Sequence, residues 1–181
     1  VMQAPPAHTA FRKLVARGFT PRQVADLEPD VRGFVRERLP ALADGGDVVE
    51  SLFKPLPSMV VAHYLGVPAE DRVAFDGWTE AIVAAGGSGD ALTAADAAGE
   101  MLAYFAALVE RRRREPLDDP GPDTVAHLVA AGRADDQDGL VAVLGYVFTM
   151  VTGGNDTTTG LLGGAVQLLA ADPAQRARLT S

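Results

Sequence analysis

One apolar stretch decides the fold: residues 140–171, with the sequence LVAVLGYVFTMVTGGNDTTTGLLGGAVQLLAA. Asp138 is the predicted N-cap, and Asp172-Pro173 marks the far end. As a single helix, about 32 residues would extend for about 48 Å, far beyond the usual helix of about 11 residues. Because almost no side of this helix is polar, it is predicted to run through the middle of a helical protein.

A membrane-spanning helix is the simplest alternative for so much apolar sequence, and the centre of the stretch argues against it. Small and polar residues interrupt the run between Thr152 and Gly160, and the apolar segment before them is too short to cross a bilayer. A buried Asp156 would be costly there unless it were paired or used in chemistry. No signal peptide or transmembrane segment is recognised elsewhere in the chain.

The interrupted centre is poor helix-forming sequence, since each glycine costs about 1 kcal/mol relative to alanine. Its small and polar residues are nevertheless spaced so that five of them share one face of the helix. They are Gly153, Asp156, Thr157, Gly160 and Gly164. Two interpretations stay open. Either a second helix crosses closely over Gly160 and Gly164, or a large flat ligand lies against the glycines, with Asp156 and Thr157 beside it to handle protons.

Composition indicates a globular chain of one domain, with 181 residues, 48% apolar residues and a net charge of −8. The negative charge argues against nucleic acid or an anionic membrane as the main partner. The absence of cysteine excludes disulfides, thiolate metal sites and cysteine nucleophiles within this sequence, and it weakly favours a reducing compartment. Since the chain begins in an apparent loop and ends soon after a new helix starts, we expect a piece of a longer protein.

A second pattern lies near the start of the chain, where a helix is predicted over residues 8–17. His8 and Arg12 are four residues apart, so they lie on one face of this helix. Two cations directed at one place suit an anion such as a carboxylate. From these residues alone, an ordinary pair of surface cations is the alternative.

Both patterns resemble motifs of the cytochrome P450 family. The hexapeptide Gly153-Gly154-Asn155-Asp156-Thr157-Thr158 resembles the (A/G)-G-x-(D/E)-T-(T/S) signature of the family's long central helix. His8-Thr9-x-x-Arg12, followed by Phe19-Thr20-Pro21-Arg22, resembles the H-T-x-x-R…F-(T/S)-P-x segment of bacterial members. The segment 53–68 is similar to soluble actinobacterial members.

The resemblance covers essentially the whole chain and implies a mainly α fold with little β structure. The chain would be the middle part of the cytochrome P450 fold, with many helices packed around one long central helix. Seven to nine helices and one short strand are predicted. The helices are expected near residues 8–17, from Pro21, and at 29–43, 58–65, 68–85, 93–114, 123–131, 140–171 and from 173, the strand at 47–50, and linkers at 2–6 and 86–89.

The implied activity is that of a soluble, cytoplasmic oxidoreductase: a haem monooxygenase that inserts one oxygen atom from O2 into a small apolar organic substrate. Electrons would come from NAD(P)H through a ferredoxin and its reductase, with neither nucleic acid nor membrane as a partner. His8 and Arg12 would bind a propionate of haem (iron protoporphyrin IX). Thr157 would hydrogen-bond the dioxygen, and a buried Asp156 would pass protons toward it.

The implied haem would lie beside Gly153, Gly154 and Thr157. A bend near the two glycines would leave room for O2, and residues 82–92 would form a lid over the substrate. The metal ligand of the family is a cysteine in a later glycine-rich loop, and neither that loop nor the family's E-x-x-R pair occurs in this sequence. This chain alone therefore cannot form a thiolate-ligated haem.

Residues 1–181 are accordingly predicted to be a partial single domain, without the N-terminal part and without the haem-ligand part of the family. The alternative is a catalytically inactive helical fragment or module that binds an apolar ligand or a partner helix. A metal hydrolase built on the acidic loops would need a cluster of ligands that the sequence does not show. The same acidic loops lack the spacing of a calcium-binding loop and favour solvated turns.

Overall fold

In the computed structural model, residues 7–43, 45–88 and 91–180 are described, and helices account for nearly all of their regular structure. The predicted loop at residues 2–6 and Gly89 of the predicted linker lie outside these ranges. The helices are α1 Ala7–Val15, α2 Pro21–Ala43, α3 Pro55–Tyr64, α4 Arg72–Ser88, α5 Ala91–Arg114, α6 Thr124–Ala130, α7 Gln137–Ala171 and α8 Pro173–Thr180. Two 3-10 turns, Ala16–Gly18 and Ala69–Asp71, and one π-helical turn, Val49–Phe53, connect them.

The predicted strand at residues 47–50 is wrong, because the chain turns there into the π-helical segment. The Asp47 carboxylate accepts hydrogen bonds from the backbone N–H groups of Val49 at 2.8 Å and Glu50 at 3.3 Å. An aspartate that caps two following N–H groups starts a helical turn and disfavours extended backbone.

Two helices are longer than the sequence predicted. Helix α2 runs from Pro21 through Pro29, where a second helix was expected to begin. Proline removes one hydrogen bond from the helix, but its fixed φ angle is a helical one, so the helix continues. Helix α4 extends to Ser88, through glycines that predicted a flexible linker, and it packs along α5. Tertiary packing therefore overrides the low helix propensity of this segment.

Helix α7 is the predicted central helix, and it has 35 residues. Its N-cap is Asp136, whose side chain accepts from the Gly139 N–H at 2.7 Å, so the predicted cap at Asp138 is wrong by two residues. Asp172 ends the helix, as predicted. Helix α7 contacts α3, α4 and α5, which makes it the element around which the described helices pack.

The core lies on one side of α7, between α3, α4, α5 and α6. Phe75 of α4, Phe105 of α5 and Val147 of α7 are fully buried. By length and hydropathy, α5 is the one described helix that could cross a membrane, although only 28% of its apolar window is buried. Core helices of soluble proteins give the same signal, so the predicted absence of a membrane partner stays a prediction.

Candidate functional site

The glycine face of α7 is uncovered over the described part of the chain. A Cβ atom at Gly153, Gly160 or Gly164 would meet no described atom within 4 Å. The described residues therefore hold no close helix crossing over Gly160 and Gly164, and both interpretations stay open for the longer protein. The open side of α7 has room for a flat ligand.

Gly154 faces a different environment from Gly153, because successive residues of a helix point about 100° apart. A Cβ atom at Gly154 would lie 2.8 Å from a methyl carbon of Val61, a buried residue of α3. The structure thus uses Gly154 for the close approach of α3 and α7. The cofactor contact predicted for Gly154 stays a prediction without support from this packing.

The Thr157 hydroxyl lies on the open face and donates a hydrogen bond to the carbonyl oxygen of Gly153 at 2.6 Å. A threonine hydroxyl can donate one hydrogen bond and still accept others. The side chain is exposed, so its oxygen remains accessible to a ligand that lies against Gly153. The same back-bond weakens the helix locally and favours bending. The described backbone remains α-helical through this region, and the predicted bend stays a prediction.

Asp156 is exposed, so its predicted burial is wrong. Its neighbour Asn155 is the buried polar residue of the motif, with 4% of its surface exposed. The Asn155 amide donates to the Val151 carbonyl at 2.7 Å, and its oxygen is buried without a hydrogen-bond partner. Asn155 stands at the position where the motif allows any residue, so the pattern gave no signal for this burial.

Asn155 and Asp156 border a cavity of about 230 Å³ between α3, α4 and α7. The cavity lies beside the open glycine face and also touches the π-helical turn. Its lining is polar and acidic at the exposed rim. The lining residues are Glu50, Lys54, Pro55, Ser58, Asp76, Thr79, Glu80, Val83, Ala84, Asn155, Asp156 and Thr159.

His8 and Arg12 are exposed on α1, and neither has a hydrogen bond or ion pair with another described residue. The Phe11 ring packs edge-on against Tyr146 of α7, with 5.8 Å between the ring centres. This contact places α1 beside α7 about 10 Å, or two turns, before Gly153. His8 and Arg12 are therefore on a helix that adjoins α7, and no described residue pairs with them.

The described residues contain no group of three or more metal-ligating side chains, so the hydrolase alternative gains no support. A planar ligand with acidic substituents fits the arrangement that is present: a glycine face on α7 and unpaired cations on the adjoining helix. The fold and this face together define an α-helical protein with one long central helix, one side of which the described residues leave uncovered.

Comparisons with known proteins agree with this class. The chain is 62% identical to cytochrome P450 130 of Mycobacterium tuberculosis (strain CDC 1551 / Oshkosh), over 97% of this chain and 44% of that protein. It is 37% identical to the cytochrome P450 monooxygenase PikC of Streptomyces venezuelae, over 97% of this chain and 42% of that protein. The solved structure of cytochrome P450 CYP109Q5 from Chondromyces apiculatus matches with a TM-score of 0.78 at 34% identity, covering 97% of this chain and 43% of that one. No family model matches the chain.

The chain belongs to the cytochrome P450 family and corresponds to the middle part of its members. It spans less than half the length of the curated relatives it matches, which come from actinobacteria. The resemblance and the mainly α fold predicted from the sequence are thereby confirmed. The individual residue roles remain proposals.

Proposed function

We propose that the protein to which this segment belongs is a haem-dependent monooxygenase that inserts one oxygen atom from O2 into a small apolar organic substrate. The observation that carries the proposal is the open face of α7, where the Thr157 hydroxyl and the unfilled space at Gly153 lie together. The name of the relative PikC, a cytochrome P450 monooxygenase, supports the reaction class.

The residues of this chain fit haem in two ways. The space beside Gly153 admits a flat ring, since even a Cβ atom there would meet nothing within 4 Å. His8 and Arg12 supply two cationic donors for one propionate, the kind of charge-assisted hydrogen bond that is strongest between proteins and carboxylates. When bound, haem supplies the redox chemistry by which O2 is activated.

Thr157 and Asp156 would manage protons beside that cofactor. The Thr157 oxygen can accept a proton while the hydroxyl group donates its own hydrogen to a neighbouring acceptor, because a hydroxyl both donates and accepts. Asp156 stands one residue earlier at the exposed rim of the cavity, where it can exchange protons with solvent.

Electrons are proposed to reach the protein from NAD(P)H through a ferredoxin and its reductase, in the cytoplasm. Residues 82–92, proposed as the substrate lid, join the end of α4 to the start of α5. Val83 and Ala84 of this segment line the same cavity as Asn155, and this shared cavity supports the proposed lid.

The first test is the CO-difference spectrum of the reduced full-length protein. The red-shifted band of a thiolate-ligated haem is expected. A haem band without that shift would remove the proposed oxygen chemistry, and absence of haem would favour the alternative of an inactive helical module.

The second test is Thr157→Ala, which removes the hydroxyl from the open face. We expect the share of NAD(P)H consumption that ends in product to fall severalfold, while substrate still binds. Thr152→Ala is the matched control, because Thr152 also donates back to a carbonyl, that of Phe148 at 3.0 Å, from another side of the helix. Equal coupling in the two variants would show that Thr157 has no special part in the reaction.

A further inference from the structure

The cavity between α3, α4 and α7 has polar groups at two depths. Its charged side chains, among them Glu80 of α4 and Asp156 of α7, are exposed at the rim. Deeper in its lining are Thr79 and Asn155, each with 4% of its surface exposed. The buried and the exposed groups are sequence neighbours on two facing helices, so each helix directs at least one carboxylate and one uncharged polar side chain to the same cavity.

Some polar groups of the cavity already have partners within the chain. Glu50 forms an ion pair with Lys54 along one side of the rim. Asp76 accepts a hydrogen bond from the Ser58 hydroxyl at 2.6 Å. Glu80 and Asp156 form no hydrogen bond or ion pair with another described residue, and Glu80 interacts with the Lys54 ammonium only through longer-range electrostatics.

The two buried side chains also lack partners. The Thr79 hydroxyl oxygen and the Asn155 amide oxygen are buried without a hydrogen bond in the described structure. The orientation of the Asn155 amide is fixed, because its nitrogen donates to the Val151 carbonyl at 2.7 Å. Its free atom is therefore an acceptor. A buried polar atom without a partner is costly, at about 1–3 kcal/mol, so such atoms point to a group missing from the site.

We propose that this cavity binds a small organic cation that carries a primary ammonium group. An ammonium group offers three N–H donors and no acceptor, and the unpaired groups of the cavity can all accept. The carboxylates of Glu80 and Asp156 supply the opposing charge at the rim. A metal ion fits less well, since the described residues form no cluster of three or more metal-ligating side chains.

The inference does not depend on haem chemistry, although Asp156 also belongs to the proposed proton path. The test is isothermal titration calorimetry of the full-length holoprotein with n-butylammonium chloride at constant ionic strength. n-Butanol, which has a similar shape without the charge, is the comparison ligand. Saturable one-to-one binding of the ammonium ion is expected, with no measurable binding of the alcohol.

Glu80→Gln is expected to weaken the binding at least tenfold, since it removes a rim carboxylate and keeps the shape of the side chain. Thr79→Val, nearly identical in volume, should weaken it severalfold by removing the buried acceptor. Glu70→Gln is the matched control, because Glu70 lies in the turn before α4 and does not line the cavity. It should bind like the unchanged protein.

Three results would overturn the proposal. One is equal binding of butanol and butylammonium, which would mean an apolar or water-filled cavity. Another is binding that Glu80→Gln leaves unchanged while the haem absorption shifts, which would mean that the amine ligates iron. The third is the absence of any saturable heat. Each of these leaves the coupling test at Thr157 unaffected, so the two proposals fail separately.

Discussion

The two halves of α7 differ in what surrounds them. In the first half, Val143, Val147 and Val151 are completely buried by helices of this chain. In the second half, Leu161 is 71% exposed and Leu168 is 73% exposed. Other helices of this chain therefore cover the first half of α7. The described residues leave the second half of α7 and the glycine face exposed.

The buried half adjoins a network of polar contacts that we call the buried junction, formed by Gly66, Arg112, Asp123, Thr124 and Tyr146. Thr124 donates to the Tyr64 carbonyl at 2.7 Å and accepts from the Tyr146 hydroxyl at 3.1 Å. Burial raises the pKa of Tyr146 to about 12. Asp123 caps α6 through the Ala126 N–H at 2.8 Å and pairs with Arg112 at 3.0 Å.

The difference between the regions implies that substitutions in the buried junction and the buried half of α7 should lower stability. Substitutions on the open face should spare stability. Each prediction below tests this separation, beginning with the largest expected effect.

The largest effect is expected for Gly66→Ala in the buried junction. Gly66 has a φ angle of +71°, and a Cβ atom there would lie 2.1 Å from an Asp123 carboxylate oxygen. The substitution is expected to reduce the free energy of unfolding by about 3 kcal/mol, through backbone strain and displacement of the Arg112–Asp123 pair. Urea denaturation followed by circular dichroism measures the change.

Gly33→Ala is the matched control for this substitution, because Gly33 lies inside α2 with open space around it. Alanine there should raise stability by about 0.5–1 kcal/mol through helix propensity. If Gly66→Ala were as harmless as Gly33→Ala, the packing of Asp123 against Gly66 would not exist in solution.

The next prediction compares the two halves of α7 directly. Val147→Ala removes two methyl groups from a fully buried site and should cost about 2 kcal/mol. Leu161→Ala removes more apolar atoms from an exposed site and should change stability by less than about 0.5 kcal/mol. The same urea titrations measure both. Similar losses at the two sites would show that the second half of α7 is covered in solution, for example by a second copy of the chain.

A smaller effect is expected from the charge of Asp123. Burial raises the pKa of this carboxyl above its ordinary value of 3.8. The hydrogen bond from the Ala126 N–H and the charge of Arg112 lower the pKa, but by less than burial raises it. A group with a raised pKa in the folded state binds more protons there than in the unfolded chain. Its contribution to stability is therefore complete below pH 3.8 and is lost as the pH rises through the folded pKa.

Asp123→Asn keeps the cap and removes the titration, so it isolates this contribution. The stability of the unchanged chain relative to the variant should decline as the pH is raised above 3.8. Urea midpoints of both chains over a series of pH values give the difference. A relative stability that increases with pH would show that the ion pair with Arg112 outweighs the cost of burial.

Much of the fold could be predicted because the residues that determine each helix lie within that helix or next to it in the sequence. The apolar stretch at residues 140–171 requires a buried long helix, and Asp123 at the start of α6 is a cap that the neighbouring residues define. The strand predicted at residues 47–50 was wrong because the Asp47 side chain accepts hydrogen bonds from two following N–H groups and starts a helical turn. Propensity is a weaker signal than one well-placed hydrogen bond.

The site was harder to predict, because burial depends on which distant residues cover a helix face. Spacing alone gave Gly153 and Thr157 a common face, and the structure places the Thr157 hydroxyl against the Gly153 carbonyl. Spacing could not show that Asp156 is exposed while Asn155 is buried, because the packing of α3 and α4 against α7 determines which side chain is covered. The unpaired oxygen of Asn155 likewise has no signature in the sequence.

The smallest and most specific effect concerns Gly153→Ala on the open face. Since a Cβ atom there meets nothing within 4 Å, alanine should raise the stability of this chain by about 0.5–1 kcal/mol through helix propensity. The signature of the central helix accepts alanine as well as glycine at this position, so in the full-length protein the same methyl group should leave the haem content per protein unchanged. Absorbance of the purified protein at the haem band, relative to protein concentration, measures it.

Gly99→Ala is the matched control, because Gly99 is an exposed glycine inside α5 with equally open surroundings. It should give the same gain in stability and leave the haem content unchanged. A loss of haem in Gly153→Ala alone would show that the space beside Gly153 is narrower than the signature implies. Equal haem contents together with equal gains in stability would show that the open face tolerates a methyl group at Gly153, which is the separation of stability from ligand binding that the two halves of α7 imply.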